Sequence, residues 1–167
     1  DALLLSRGFA ILAPNPRGSA GRGQAFASAV VGDMGGADVG DVLAGVDAAV
    51  AVGHADPGRL VLTGGSYGGF MAAWIPTVDG RFKAAVSDRC VSNFMSFFGS
   101  SDFGFLFHKG FGMDSKSPWE DPERFIEMSP ISHMHKAKTP TLVIHQEDDL
   151  RCPIEQGEQV YVALKLK

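Results

Sequence analysis

Four short apolar runs, separated by segments with helical periodicity, set the pattern of this chain. The runs are residues 9–13, 60–63, 82–87 and 141–145. Short runs rich in Leu, Val, Ile and Ala are typical of strands buried on both faces of a parallel sheet. The alternation of strand and helix patterns predicts an α/β fold, in which a mostly parallel sheet carries helices on both faces.

The helical segments lie between and after these runs. The clearest one is 38–52, whose apolar positions all fall on one helix face: Val39, Val42, Leu43, Val46, Ala49 and Val50. Helices are also predicted before Gly8, after residue 69 and from residue 154 onward. Pro76 is expected to end the second of these, since proline lacks the N–H that a helix interior needs. Residues 117–120 have the serine, proline and glutamate of a helix start.

Composition narrows the functional classes. The chain has 167 residues, enough for one domain with a core, and 45% of them are hydrophobic. The net charge of −4 gives no indication of nucleic-acid binding, and no apolar run has the length of a membrane span. Cys90 and Cys152 lie far apart and lack metal-ligand spacing, so we expect free thiols. We also expect neither a metal nor a cofactor.

The strongest chemical signal is the segment 64–68, which reads Gly-Gly-Ser-Tyr-Gly. It matches the G-x-S-x-G pattern, follows an apolar strand and precedes a helix, which is the context that the motif requires. A serine on such a turn projects its hydroxyl above the sheet, and glycines two residues away avoid collisions. Ser66 is therefore the predicted nucleophile, and the backbone N–H of Tyr67 is the predicted donor to an oxyanion.

A nucleophilic serine needs a base and an acid that orients the base. Asp148 and Asp149 both follow the last predicted strand, and position alone gives Asp149 only a slight advantage. In this fold the histidine comes after the acid. None of the five histidines follows Asp149: His54, His108, His133, His135 and His145. His108 is the only one that we consider as an alternative base, and we expect the true base to lie beyond Lys167.

Three ordered motifs together resemble the prolyl oligopeptidase family, in particular its acylaminoacyl-peptidase and dipeptidyl-peptidase 5 branch. They are residues 15–19 (NPRGS), 64–71 (GGSYGGFM) and 149–153 (DLRCP). The resemblance implies an α/β-hydrolase fold, with Ser66 as nucleophile and Tyr67 at the oxyanion hole. It also assigns the triad acid to Asp149 rather than Asp148, and it implies that Arg151 lies close to the substrate.

The resemblance also implies that parts of the family's fold are missing from residues 1–167, which we interpret as a single, partial catalytic domain. The missing parts are the β-propeller, the His-Gly-Gly-Pro-type oxyanion segment and the segment with the catalytic histidine. The family also has a strand between the first and second predicted strands, and its absence leaves a gap in the sheet. Unpaired main-chain groups there cost about 1–3 kcal/mol each, so we expect residues 1–167 alone to fold poorly.

The implied activity is serine-type hydrolysis of short peptides or acyl-peptides through an acyl-enzyme, with the fragment itself inactive. Two alternatives remain: a carboxylesterase or lipase with the same triad, and a non-catalytic binding domain of hydrolase shape. Aromatic residues crowd residues 94–119, and most are expected to pack in the core, whereas Trp119 is a candidate for the substrate pocket. We expect no nucleic-acid or membrane partner, and a homo-oligomer of the full-length enzyme is compatible with the family. The compartment stays open, with the cytoplasm slightly favoured.

Overall fold

A computed structural model of the protein describes residues 2–110 and 116–167, without the side chain of His108. Phe111, one of the predicted aromatic cluster, lies outside the described residues. The elements in chain order are α1 (Ala2–Ser6), α2 (Gln24–Ser28), α3 (Ala37–Ala51), β1 (Val61–Ser66), α4 (Tyr67–Val78), β2 (Ala84–Cys90), α5 (Phe94–Ser100), α6 (Gly104–Gly110), α7 (Pro122–Glu127), a 3-10 helix (Pro130–Lys136), β3 (Thr141–Ile144) and α8 (Glu155–Lys165).

The described strands form one parallel sheet in the order β1-β2-β3. Thr63 of β1 pairs with Val86 of β2, and Val86 pairs in turn with Leu142 of β3. The register shifts between Gly65 and Ser66, so that Ser66 lies opposite Cys90. This bulge lies at the carboxyl end of the sheet, where β1 passes into α4.

Helices α4 and α8 cover one face of the sheet. Ala73 of α4, Val160 of α8 and Val143 of β3 belong to one hydrophobic cluster between these elements. A larger cluster surrounds the fully buried Phe70 of α4 and includes residues of α3, α5 and α7. On the opposite face of the sheet, Val61, Leu142 and Ile144 are 42–58% exposed.

Three of the four predicted strands and the main predicted helices are confirmed, and the first predicted strand is wrong for the described structure. Residues 9–13 have no regular secondary structure, and Phe9, Ile11 and Leu12 are exposed. A strand is defined by hydrogen bonds to a neighbour. No described strand lies beside this segment, so its apolar run has nothing with which to pair.

Two local expectations about helix ends also fail. Pro76 lies inside α4, which continues to Val78. A proline this close to the end of a helix removes only one of the last hydrogen bonds, so the helix continues. At residues 117–120, Glu120 accepts hydrogen bonds from the N–H and hydroxyl of Ser117 at 2.8 and 2.6 Å, but they close a single turn, and α7 starts only at Pro122.

The longest described helix, α3, has 15 residues. In residues 2–110 and 116–167, no helix combines the length and hydrophobicity that crossing a membrane requires.

Candidate functional site

Ser66 lies on a strained turn between β1 and α4. Its backbone angles are φ 58° and ψ −116°, and it is one of two described non-glycine residues with positive φ, the other being Arg89. Such conformations cost about 1–3 kcal/mol and are concentrated at functional sites. The turn ends the strand and starts the helix within one residue, and the side chain of Ser66 is exposed there.

The two glycines that flank Ser66 in the motif play different parts. A Cβ atom added to Gly64 would lie 2.5 Å from the carbonyl carbon and oxygen of Gly68, so the turn closes only with glycine at 64. A Cβ atom on Gly68 would meet no described atom within 4 Å. The sequence-based expectation that both glycines avoid collisions therefore holds for Gly64, but the described residues give no collision at Gly68.

Asp149 lies in the turn between β3 and α8, and backbone donors orient its carboxylate. Its Oδ1 atom accepts hydrogen bonds from the N–H groups of Arg151 at 3.0 Å and Cys152 at 2.8 Å. The carbonyl of Cys152 in turn lies 2.6 Å from Nε2 of His145, at the end of β3. Asp148 is fully exposed beside this turn. The carboxylate of Asp149 is thus part of a fixed turn at the carboxyl end of the sheet.

The buried thiol of Cys152 connects the Asp149 turn to the nucleophile. Burial raises the pKa of Cys152, and the charge of Asp149 raises it further. A hydrogen bond with the Ser66 side chain acts in the opposite direction, as does the positive charge of Arg89. Cys152 thus lies near Ser66, and its backbone N–H is bonded to Asp149, so the predicted nucleophile and the predicted acid lie at the same end of the sheet.

The side chain of Tyr67 anchors the turn from the other side. Its hydroxyl donates a hydrogen bond to Oδ2 of Asp38 at 2.5 Å, and Asp38 is almost completely buried at the start of α3. Burial, followed by the bond to Asp38, raises the pKa of Tyr67 well above its ordinary value. In the sequence, Asp38 is distinguished only as the first residue of the predicted helix 38–52. Its partner is 29 residues away, and no local pattern reveals such a pairing.

Arg151 and Trp119 are placed less centrally. Arg151 donates from Nε to Asp102 at 2.7 Å, and its guanidinium lies 5.1 Å from the ring centre of Phe103. Trp119 is 81% exposed and contacts the ring of Phe98 edge-on. Phe94 and Phe97 are buried, as expected for core aromatics. Of the predicted site residues, the structure brings Ser66, Tyr67 and Asp149 together, and it places Trp119 on the surface.

Two of the described histidine side chains, His145 and His133, make contacts away from the predicted nucleophile and acid. Nε2 of His145 is bonded to the Cys152 carbonyl, and Nε2 of His133 lies 2.7 Å from the carbonyl of Glu127. His54 follows α3, in the loop that enters β1. Within the described side chains, no histidine hydrogen-bonds to Ser66 or Asp149. The side chain of His108 lies outside the described residues, so His108 stays a predicted alternative base.

Surface concavities lie away from Ser66. One of about 450 Å³ is formed by residues 32–36 with Trp74 and α7. Another of about 470 Å³ is formed by residues 137–141 with Leu164 and Lys167. Ser66 lines neither of these two concavities, and it is exposed to solvent.

Comparison with protein families gives one match over the entire chain: the model of the prolyl oligopeptidase family matches residues 1–167. The chain is 48% identical over 164 residues to the uncharacterised peptidase YuxL of Bacillus subtilis. The match covers 98% of this chain and 25% of the relative. It is 41% identical over 172 residues to the acylamino-acid-releasing enzyme of Arabidopsis thaliana. That match covers 99% of this chain and 22% of the relative.

Solved structures agree in fold. The uncomplexed acylaminoacyl peptidase of Pyrococcus horikoshii superposes with a TM-score of 0.84 and 36% identity, over 90% of this chain and 25% of that one. A puromycin hydrolase superposes with a TM-score of 0.80 and 29% identity, over 90% of this chain and 22% of the hydrolase. The fold of the described residues is therefore that of α/β-hydrolase peptidases, of which the chain spans about a quarter.

Proposed function

Since the chain belongs to the prolyl oligopeptidase family, we propose that it is the nucleophile-bearing part of a serine peptidase acting on short peptides or acyl-peptides. One observation carries the proposal: Ser66 occupies a left-handed strand-to-helix turn at the carboxyl end of a parallel sheet, with φ at 58°. In α/β-hydrolases this turn presents the catalytic hydroxyl. The names of the relatives support peptides as the substrate class.

In the proposed reaction, the Ser66 hydroxyl attacks the carbonyl carbon of the scissile bond while a histidine takes its proton. The negative charge that forms on the carbonyl oxygen receives a hydrogen bond from the N–H of Tyr67, which is among the unpaired N–H groups of the first turn of α4. Collapse of the intermediate leaves an acyl group on Ser66, and water releases it.

Asp149 is the proposed acid that holds the histidine in the required tautomer. Backbone N–H groups engage its Oδ1, and no described residue hydrogen-bonds to Oδ2, which leaves that oxygen for an imidazole N–H. The base itself is expected outside the described residues. We therefore propose that residues 1–167 alone are inactive and that the complete protein is the enzyme.

Arg151 is proposed as a donor to a substrate carbonyl. Its side chain is 61% exposed although Nε and Nη2 are bonded to Asp102 at 2.7 and 3.4 Å. Trp119 is proposed as a contact for a peptide that lies across the surface, since its exposed ring lies above Phe98. Both proposals concern substrate preference, and neither affects the identity of the nucleophile.

The direct test is labelling of the complete protein by a fluorophosphonate, compared with Ser66→Ala. We expect labelling of the wild type, none of the variant, and hydrolysis of acyl-peptide nitroanilides in preference to short-chain esters. Preference for esters would support the carboxylesterase alternative. A wild-type protein that binds peptides but is never labelled would support the non-catalytic binding domain and refute the proposal.

A further inference from the structure

A fully buried polar side chain lies next to the candidate site and was not singled out by the sequence. Gln156, the second residue of α8, is 0% exposed. A buried amide is costly unless its donors and acceptors find partners. The partners of Gln156 are therefore informative about what this residue holds in place.

Apart from the neighbouring Glu155, whose carboxylate accepts from Nε2 at 2.5 Å, these partners lie at the end of β2 and in the segment that follows it. The Oε1 atom of Gln156 accepts hydrogen bonds from the N–H groups of Ser92 and Asn93, each at 2.8 Å. Its Nε2 atom donates to the carbonyl of Asn93 at 3.2 Å and to the hydroxyl of Ser96 at 3.0 Å. Its own carbonyl accepts from the hydroxyl of Ser92 at 2.6 Å and from the thiol of Cys90 at 3.8 Å.

The hydrogen bonds of Gln156 extend towards both predicted catalytic side chains, Ser66 and Asp149. Cys90, the last residue of β2, lies opposite Ser66 in the sheet. On the other side, the N–H of Gln156 donates to the carbonyl of Pro153 at 2.9 Å. Pro153 ends the turn in which Asp149 is held. Gln156 thus joins the strand end beside the nucleophile to the turn with the acid.

Besides the approach of Cys152 to Ser66, two further hydrogen bonds of the acid turn lead to other elements. His145 ties the carbonyl of Cys152 to the end of β3, and Ser101 donates to the carbonyl of Arg151 at 2.7 Å from the end of α5. Neither reaches the strand next to Ser66. The hydrogen bonds of Gln156 attach the start of α8 to the continuation of β2 itself.

We propose that Gln156 is a positioning residue, which fixes the separation between the Ser66 hydroxyl and the Asp149 carboxylate through Ser92 and Asn93. This inference rests on the proposed function, because the separation matters only if the two side chains act together. Misplacement of catalytic groups by about 1 Å can cost about 100-fold in rate. A loss of positioning should lower kcat and leave substrate binding nearly unchanged.

The test uses the complete protein and an acyl-peptide substrate. Gln156→Met keeps the volume of the side chain and removes all of its polar contacts. We expect kcat to fall about 10- to 100-fold, with KM changed less than about threefold. Gln156→Glu keeps an acceptor for the N–H groups of Ser92 and Asn93, so it should recover part of this loss.

Gln159→Met is the matched control. Gln159 lies one turn later on α8 and accepts from the Asn93 side chain at 2.8 Å, but it has no bond to the Ser92 or Asn93 backbone. This variant should keep kcat within about twofold of the wild type. Equal losses in Gln156→Met and Gln159→Met would overturn the inference, as would an unchanged kcat in Gln156→Met.

If Gln156→Met does not fold, Ser92→Ala takes its place, because it removes the 2.6 Å bond to the Gln156 carbonyl and a 3.5 Å contact with Oε1, and it keeps the Gln156 side chain. A kcat lowered about threefold or more at constant KM supports the inference, and an unchanged kcat overturns it. Fluorophosphonate labelling of the wild type separates the two proposals. Without that labelling both fail, whereas a labelled wild type with unaffected variants removes only the role of Gln156.

Discussion

Substitution of Gly64 by alanine should disable the candidate site, whereas the same substitution at Gly68 should be tolerated. The two glycines are equivalent in the sequence motif, but they differ in the structure. A Cβ atom on Gly64 would lie 2.5 Å from the carbonyl carbon and oxygen of Gly68, and real Cβ atoms essentially never lie closer than 3.0 Å to another heavy atom. Both obstructing atoms belong to the backbone, so no side-chain rotation relieves the contact.

The expected size of the effect follows from this distance. To reach 3.0–3.4 Å, the first turn of α4 has to move roughly 0.5–0.9 Å away from β1. Overpacking of this kind costs about 1–3 kcal/mol of stability. The movement also displaces Ser66 and the N–H of Tyr67, and a shift of about 1 Å costs about 100-fold in rate.

The assay is the rate of fluorophosphonate labelling of the complete protein, with denaturant melts alongside. We expect Gly64→Ala to be labelled about 100-fold more slowly than the wild type. Gly68→Ala should be labelled within about threefold of the wild-type rate, since its Cβ meets no described atom within 4 Å. Equal rates for the two variants would refute the assignment of the tight contact to position 64.

Three further predictions concern the surroundings of the site. Tyr67→Phe should lower the free energy of unfolding by about 1–3 kcal/mol, because the buried Asp38 loses its hydroxyl donor, and labelling should persist because the oxyanion donor is a backbone N–H; an unchanged denaturation midpoint would contradict this. The bonds from Arg17 lower the pKa of Asp41 to about 2, so the pair stabilises the protein fully above the unfolded pKa of about 4, and this contribution disappears as the pH falls towards 2. The melting temperature of Asp41→Asn should therefore lie below that of the wild type at pH 7 and approach it under acid; a difference independent of pH would exclude this origin. Trp119→Ala should change relative kcat/KM among peptide substrates without changing stability, and identical kinetics on several substrates would remove this residue from the substrate contacts.

The sequence predicted the elements that carry their own local signals. The strands before Ser66 and Asp149, the helix after the nucleophile and the long helix α3 all lie within a few residues of their expected positions. Residues 9–13 have an equally clear apolar pattern but form no strand. The pattern indicates that a segment prefers burial, whereas strand formation also needs a partner, and no strand of residues 2–110 and 116–167 pairs with this segment.

The site was predictable only where a motif marks it. Ser66 and Asp149 stand in recognisable patterns, whereas Asp38 and Gln156 are ordinary polar residues on helices. Their roles come from contacts with residues 29 to 64 positions away, Tyr67 and Ser92, which form only once the helices pack on the sheet. The one indirect signal was the mismatch between a polar residue and the apolar face of its helix.

The open side of β1 has a practical consequence. In the described sheet this strand has one neighbour, β2, and its other edge presents backbone donors and acceptors without a strand beside them. Such edges act as templates for a second chain. Residues 1–167 produced by themselves should therefore self-associate through this edge as concentration rises.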